Sequence, residues 1–382
     1  MNSRERLKTA FSFKTPDRVG VFDAPWPETV ARWRREGLPP DVHVNEYFDY
    51  DVDHCIILDT SIGLKEKILE ATGDYITFTN ANGVTQKVMR GQTGAPFVLD
   101  YLIKGEDDWK ARRHNLRFSR ERIKIYRWGE YETVTEKRFD STVSPDSWDA
   151  TLEKYKKARA QNKFMFFVAS GPFENTRDCI RAEEVYMNMI ENPGYIQRIF
   201  EDFTELIIKA YEELAGLGME ADGFFVADDI AYKNGMLFSP AMYRELLFPF
   251  HKRLCAFFKS KGLPVMFHTD GKLDVCLPLL IEAGITAIQP IEAKVGGDIR
   301  ELGKIYGRDL VFVGNIDVRK LGGTRREVEE EIRTKLIAGK HCGGYVYHSD
   351  HSVPPSVSFD NYRYAMDLVR QYGAYKSDTE FS

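Results

Sequence analysis

The second half of the chain alternates short apolar runs with longer amphipathic stretches. The apolar runs fall at residues 164–169, 223–226, 264–268, 286–289, 310–313 and 344–348. Each has the length of a strand, and unbroken apolarity marks a strand buried on both faces. Between and after them, residues 196–216, 240–261, 274–283, 298–306 and 326–338 are amphipathic with the helical period. Strands alternating with helices build βαβ units and a parallel sheet.

The first part, up to about residue 160, is less regular and rich in aromatic residues. Residues 3–13 predict a short helix with Leu7, Ala10 and Phe11 on one side, ended by Pro16. Residues 19–22 and 55–58 predict strands. Residues 27–36 predict a helix, with Pro27 suited to its first turn and Gly37 following its end. Residues 75–79 and 85–89 alternate around Asn80-Ala-Asn-Gly83, a β-hairpin pattern. Residues 100–150 are polar, charged and predict no defined element.

Two early strands and six later ones make eight, the number that closes a barrel. The expected fold is therefore α/β: a (β/α)₈ TIM barrel with an N-terminal extension and a β-hairpin insertion, one domain over residues 1–382. The alternative, a doubly wound open sheet, would normally show a Gly-rich phosphate turn after a strand, and none is present. A length of 382 residues suits a barrel with insertions.

Composition narrows the partners. The net charge is -5, with acidic and basic residues mixed along the chain, so no basic stripe offers a nucleic-acid footprint. Cys55, Cys179, Cys255, Cys276 and Cys342 are odd in number, widely spaced and without a Cys-x-x-Cys pair, which points to a reducing compartment. The start, Met-Asn-Ser-Arg-Glu-Arg, lacks the apolar core of a signal peptide, and no apolar run is long enough to cross a bilayer. The expectation is a soluble, cytoplasmic protein acting on a small molecule, with no membrane or nucleic-acid partner; a homodimer is left open. Cys255 and Cys276 lie in helical stretches and read as small buried residues. Arg32, Arg34 and Arg35 read as a solvated helix face.

In a parallel barrel the active site lies at the C-terminal ends of the strands. Six successive strand ends carry polar or ionisable groups: Glu174; Asp228 and Asp229; His268 and Asp270; Gln289 and Glu292; Asn315 and Asp317; His348, Asp350 and His351. Residues two apart in extended backbone point to one side, so His268 and Asp270 can converge. With Glu292 and His351 they would make a nitrogen and oxygen ligand set suited to zinc. A metal-free acid–base dyad, or a His–Asp pair that only orders the loop, fits the same spacing. Asp228 and Asp229 would bind a cation, move a proton or cap the next helix. Asn315 and Asp317 would orient a substrate or satisfy loop backbone groups.

These strand ends, in this order, resemble the uroporphyrinogen decarboxylase superfamily, which includes zinc-dependent, corrinoid-linked methyltransferases. The likeness covers most of the chain. It is carried by Arg6-Leu-Lys-Thr-Ala-Phe11, Thr15-Pro-Asp-Arg-Val19, Leu237-Phe-Ser-Pro-Ala-Met-Tyr-Arg-Glu245, Phe267-His-Thr-Asp-Gly271, Glu282-Ala-Gly-Ile285, Gly314-Asn-Ile-Asp317 and Val353-Pro-Pro-Ser-Val-Ser-Phe-Asp-Asn361. The family's fold is a (β/α)₈ barrel. The decarboxylase's N-terminal Arg-Gln-Ala-Gly-Arg segment is replaced here by Asp23-Ala-Pro-Trp-Pro-Glu28, and the arginines a many-carboxylate tetrapyrrole needs are not evident. In the methyltransferase branch a His-x-Cys follows the corresponding strand. His268 matches the His, Asp270 stands in place of the Cys, and His351 takes the later ligand position.

The resemblance thus implies a methyltransferase that moves a methyl group from a small methoxylated or methylated compound to a corrinoid. Zinc would be held by His268, Asp270, Glu292 and His351. Asp228 and Asp229 would serve in catalysis, and Glu174, Gln289, Asn315, Asp317 and His348 would line the substrate pocket. No Asp-x-His-x-x-Gly cobalamin motif is evident, so the corrinoid would arrive on a partner protein. The alternative is a metal-free carboxy-lyase.

Overall fold

The computed structural model describes residues 1–90, 96–130 and 146–375. Its central sheet has nine strands: β1 (Gly20–Val21), β2 (His54–Leu58), β7 (Ile123–Arg127), β8 (Phe166–Ser170), β9 (Gly223–Ala227), β12 (Val265–His268), β13 (Ala287–Gln289), β14 (Val311–Val313) and β15 (Tyr345–Tyr347). The order is β1-β15-β14-β13-β12-β9-β8-β2-β7, with every pairing parallel except β2–β7. Without β7, eight parallel strands remain, in the order of a (β/α)₈ barrel.

No strand ladder joins β1 to β2 among the described residues. Asp51, just before β2, bridges that seam. Its N–H donates to the Val21 carbonyl at 2.6 Å, and its carboxylate accepts from the Val21 N–H at 2.8 Å. The same buried carboxylate takes Arg6 at 2.7 Å and Arg18 at 2.8 Å. Arg6 also grips Asp17 at 2.7 Å. The Thr15-Pro-Asp-Arg-Val19 stretch therefore works as a clasp on the first strand.

The predicted hairpin is real but is half of a larger unit. β3 (Lys67–Ala71), β4 (Tyr75–Thr79), β5 (Val84–Met89) and β6 (Phe97–Tyr101) form a separate four-stranded antiparallel sheet. The outer strands were unreadable because both are largely exposed and show no clean apolar alternation. The featureless stretch 100–150 holds a short helix, Glu106–Arg112, then β7 and the start of the helix Trp148–Ala160; residues 131–145 lie outside the described residues. A short antiparallel pair, β10 (Ala231–Tyr232) and β11 (Gly235–Met236), follows β9.

Helix ends follow local chemistry. Asn2 and Glu5 make a capping box at the first helix, Ser3–Phe11, as do Thr324 and Glu327 at Arg325–Lys340. The helix expected over 240–261 is continuous from Pro240 to Ser260 but is not regular throughout. A wide π turn, Tyr243–Leu247, precedes Phe248–Ser260, because Pro249 has no N–H and its ring crowds the turn before it.

Side chains on the strands sort by parity. Phe167 and Phe224 face the helices and pack on Phe258. Phe166 and Phe225 face inward, where with Phe22 and Trp128 they make a contiguous aromatic layer across the barrel, ring centroids 5.1–6.3 Å apart. That layer is the floor beneath the site. All five cysteines are free. Among the described residues no helix is long and apolar enough to cross a membrane.

Removing the Asp51 charge leaves two arginines without their buried partner. Breaking such a pair typically costs about 3–5 kcal/mol. Asp51→Asn is therefore expected to lower the urea midpoint sharply, whereas Lys163→Met, at an ion pair with the largely exposed Asp49, should leave it nearly unchanged. Equal midpoints for the two variants would contradict the clasp.

Candidate active site at the barrel mouth

Above the aromatic layer lies a cavity of about 220 Å³. Its wall is made by inward positions of the strands and the loops after them: Cys55, Ile57, Val168, Phe225, His268, Asp270, Gln289, His348 and His351. Arg127, Trp128 and Glu130 complete it from the segment around β7.

His268 ends β12 with its ring 5.8 Å from that of Phe225. Its Nδ1 lies 2.5 Å from Gln289 Oε1. With the amide oxygen facing the ring, Nδ1 is the donor of this hydrogen bond. Nε2 is 3.8 Å from Asp229 Oδ1 and 3.8 Å from Asp270 Oδ1. The other oxygen of Asp270 is 3.7 Å from His351 Nε2. Burial acts to raise the Asp270 pKa, but His351 and His268 hold it below its ordinary value; Asp270 in turn raises His351. Asp270 Oδ1 is buried without a hydrogen-bond partner.

The turn after β12 arranges the neighbours. The Asp270 N–H donates to Asp229 Oδ1 and the Gly271 N–H to Glu292 Oε2, each at 2.8 Å. Gly271 has φ +95° and passes so close to Tyr232 that a Cβ would lie 2.6 Å from its backbone, so glycine is required. Glu292 also pairs with Lys294 at 2.6 Å. Two ligand triads result, Asp229–His268–Asp270 and Asp270–Glu292–His351, with donor atoms in each within 4.8 Å of one another. The four ligands expected for one ion do not form one group: His268 and His351 meet only through Asp270.

Asp228 is not on the cavity wall. It is fully buried, 2.7 Å from His251 Nε2, and accepts the Glu174 N–H at 2.5 Å and the Phe173 N–H at 3.4 Å. It does cap a helix, but the preceding one, Pro172–Cys179. Gly171 leaves room for it; a Cβ there would fall 2.5 Å from its Oδ2. Asn315 binds loop backbone, donating to Ile291 O and Gly297 O and accepting from Ile299 N–H. Asp317 caps the turn Val318–Leu321 and pairs with Arg319. Asp350 likewise accepts backbone N–H groups from Ala293 and Val318. None of these three lines the cavity.

His348 does line it. Its Nδ1 is 2.7 Å from the Ser349 carbonyl oxygen, its Nε2 is buried without a partner, and burial lowers its pKa. Asp23 stands behind it at 3.8 Å, held by Ser349 and Tyr362. Glu174 lies beside Asp229, outside the wall, and pairs with Arg177; burial outweighs that pull and pushes its pKa up to about 7.

Trp128, Arg127, Glu130 and the Asp23 support were not recognised as site residues from the sequence. Trp128 carried a faint signal, a bulky aromatic in an otherwise polar stretch. Arg34 lies in an adjoining cavity of about 480 Å³ that shares the Trp128–Glu130 wall.

Ionisable side chains gathered above a parallel barrel, at the C-terminal strand ends, are the arrangement of a barrel enzyme's active site. Comparison with known proteins makes the assignment narrower. The family described as uroporphyrinogen decarboxylase (URO-D) matches residues 150–372, more than half of the chain, and the chain belongs to that family. Its similarity to the uroporphyrinogen decarboxylase of Syntrophotalea carbinolica is 24% identity over 183 residues, covering 48% of this chain and 50% of the relative. For the enzyme named so in Aquifex aeolicus it is 25% over 185 residues, 48% and 51%. The matched stretch thus spans about half the length of these curated relatives. A solved methyltransferase from Methanosarcina mazei shares the fold over 97% of this chain and 99% of its own, with a TM-score of 0.62 and 15% identity.

Glu174 supplies a pH test. Its pKa is raised on folding, from 4.5 to about 7. Its contribution is therefore fully present below pH 4.5 and is lost as pH rises through 7. Glu174→Gln should flatten the fall in melting temperature between pH 5 and pH 8. An unchanged slope would show that Glu174 ionises normally.

Proposed function

We propose that this protein moves a methyl group from a small methoxylated or methylated compound to a corrinoid carried by a partner protein, with zinc held at the barrel mouth. The observation that carries this reading is the imidazole–carboxylate triad of Asp229, His268 and Asp270, two of whose members stand on the cavity wall. An imidazole nitrogen and carboxylate oxygens are zinc donors, and tetrahedral coordination at ~2.05 Å sets donors about 3.3 Å apart. The observed 3.8 Å separations need only a small contraction. The partnerless Asp270 Oδ1 is the atom a cation would satisfy. Zinc bound there supplies Lewis acidity toward the methyl-bearing heteroatom.

The protein's own residues do the rest. Gln289 fixes the His268 ring so that Nε2 faces the carboxylates. Phe225 and Trp128 give the methyl-bearing end of the substrate an apolar floor and exclude water. Glu174 keeps a proton beside Asp229 up to about pH 7, which limits the negative charge there.

Arg127 is the one cation on this wall, against Glu130 and Asp270, among the described residues. A tetrapyrrole with many carboxylates needs several placed cations, so the wall favours a small, weakly charged substrate over uroporphyrinogen. Arg127 also supports a second reading, a carboxy-lyase acting on a smaller carboxylate. Its Nη1 is buried without a hydrogen-bond partner and 3.6 Å from Asp53.

The test is methyl transfer from a panel of methoxyarenes to cob(I)alamin, with zinc measured in the same preparations. Zinc should co-purify, and His268→Ala should lose both zinc and transfer. Gln289→Leu should keep the fold and lose about 10–100-fold in zinc affinity or rate. Carbon dioxide release from a small carboxylate, without zinc or corrinoid, would replace this reading with the lyase.

A further inference from the structure

We infer that the barrel mouth is a two-metal site in which the Asp270 carboxylate bridges two divalent cations. One would lie among Asp229, His268 and Asp270 Oδ1, the other among Asp270 Oδ2, Glu292 and His351. The second position rests on the zinc reading of the first.

The geometry is the argument. Asp270 turns its two oxygens in different directions, Oδ1 toward His268 at 3.8 Å and Oδ2 toward His351 at 3.7 Å. Each flank repeats one composition: an imidazole, a carboxylate and one oxygen of Asp270. The turn after β12 prepares both flanks at once. Successive backbone N–H groups, of Asp270 and Gly271, hold Asp229 on one side and Glu292 on the other, both at 2.8 Å. A carboxylate spanning two cations about 3.5–4 Å apart is the usual bridge of binuclear hydrolytic and transfer sites. His351 is further steadied by stacking on Trp26, ring centroids 6.4 Å apart and planes 22° from parallel.

Lys294 is the competitor. Its ammonium is 2.6 Å from Glu292, and Asp270 and Asp350 also act on it. Three carboxylates with one divalent cation keep a single negative charge, which Lys294 matches. Lys294 is half exposed on a flexible stem, so it can swing into solvent when the second cation arrives. A hydroxide shared by the two ions would balance the added charge.

Equilibrium dialysis of the full chain against buffered zinc, followed by elemental analysis, tests this without relying on turnover. Wild type should hold two zinc ions per chain. Glu292→Gln and His351→Ala should each retain one and melt normally in the metal-free state; Asp229→Asn should also retain one, and Asp270→Asn should hold neither tightly. Lys294→Gln should bind the second ion at least several-fold more tightly. One ion in wild type, unchanged by Glu292→Gln and His351→Ala, with no gain in Lys294→Gln, would overturn the bridge and leave the first site standing. No tightly bound zinc in wild type would overturn both.

Discussion

The buried carboxylate of Asp51 holds together the part of the barrel that strand pairing leaves open. Among the described residues seven parallel ladders and one antiparallel ladder connect nine strands, yet β1 and β2 share none. A barrel with that seam unfastened would expose the edges of both strands and the aromatic layer beneath the site. Asp51 replaces the missing ladder with backbone and side-chain bonds to Val21, and two arginines from the N-terminal segment neutralise it. The cost of burying this charge is met by three donors rather than one, which is the condition under which a buried ion pair can hold a structure.

From that closure the site follows. Inward positions alternate up each strand, so closing the sheet brings Phe22, Phe166 and Phe225 into one layer and lifts the next polar positions to the rim. His268 and Gln289, at the ends of consecutive strands 21 residues apart in the chain, pair across the sheet and become hydrogen-bonded. Trp128 enters from the antiparallel strand β7, outside the barrel count, and seals the floor. The apolar base and the ionisable rim are therefore one construction. The base is apolar and buried, while the rim groups His268, Asp270 and His351 stay partly open to solvent.

Family membership and fold agree with this picture and limit it differently. The family match places the chain with the uroporphyrinogen decarboxylases, while the methyltransferase likeness shows the barrel alone. The decision between activities lies in the wall of the cavity. The wall carries a single arginine, Arg127, beside the carboxylates of Glu130 and Asp270, and the proposed small-substrate, metal-assisted reading rests on that lining and on the Asp229–His268–Asp270 cluster.

The sequence by itself determined the barrel strands, because a strand buried on both faces must be apolar throughout. It also determined that His268 and Asp270 lie together at a strand end, because that proximity is local. It did not show β3 or β6, whose exposed surfaces leave no periodic trace, nor β7, whose short Ile-Lys-Ile alternation lies within a polar, charged stretch. Only the tertiary structure decided what each polar strand end does. Asp228 and Asp229 are adjacent, yet one caps a buried helix and the other joins the site, since successive side chains point to opposite faces of the strand. Asn315, Asp317 and Asp350 have the same residue types as site residues but spend their hydrogen bonds on loop backbone. Whether a polar group is available for chemistry depends on which donors and acceptors reach it from distant parts of the chain. For the same reason, the four ligands that the sequence suggested for one ion stand as two triads around Asp270.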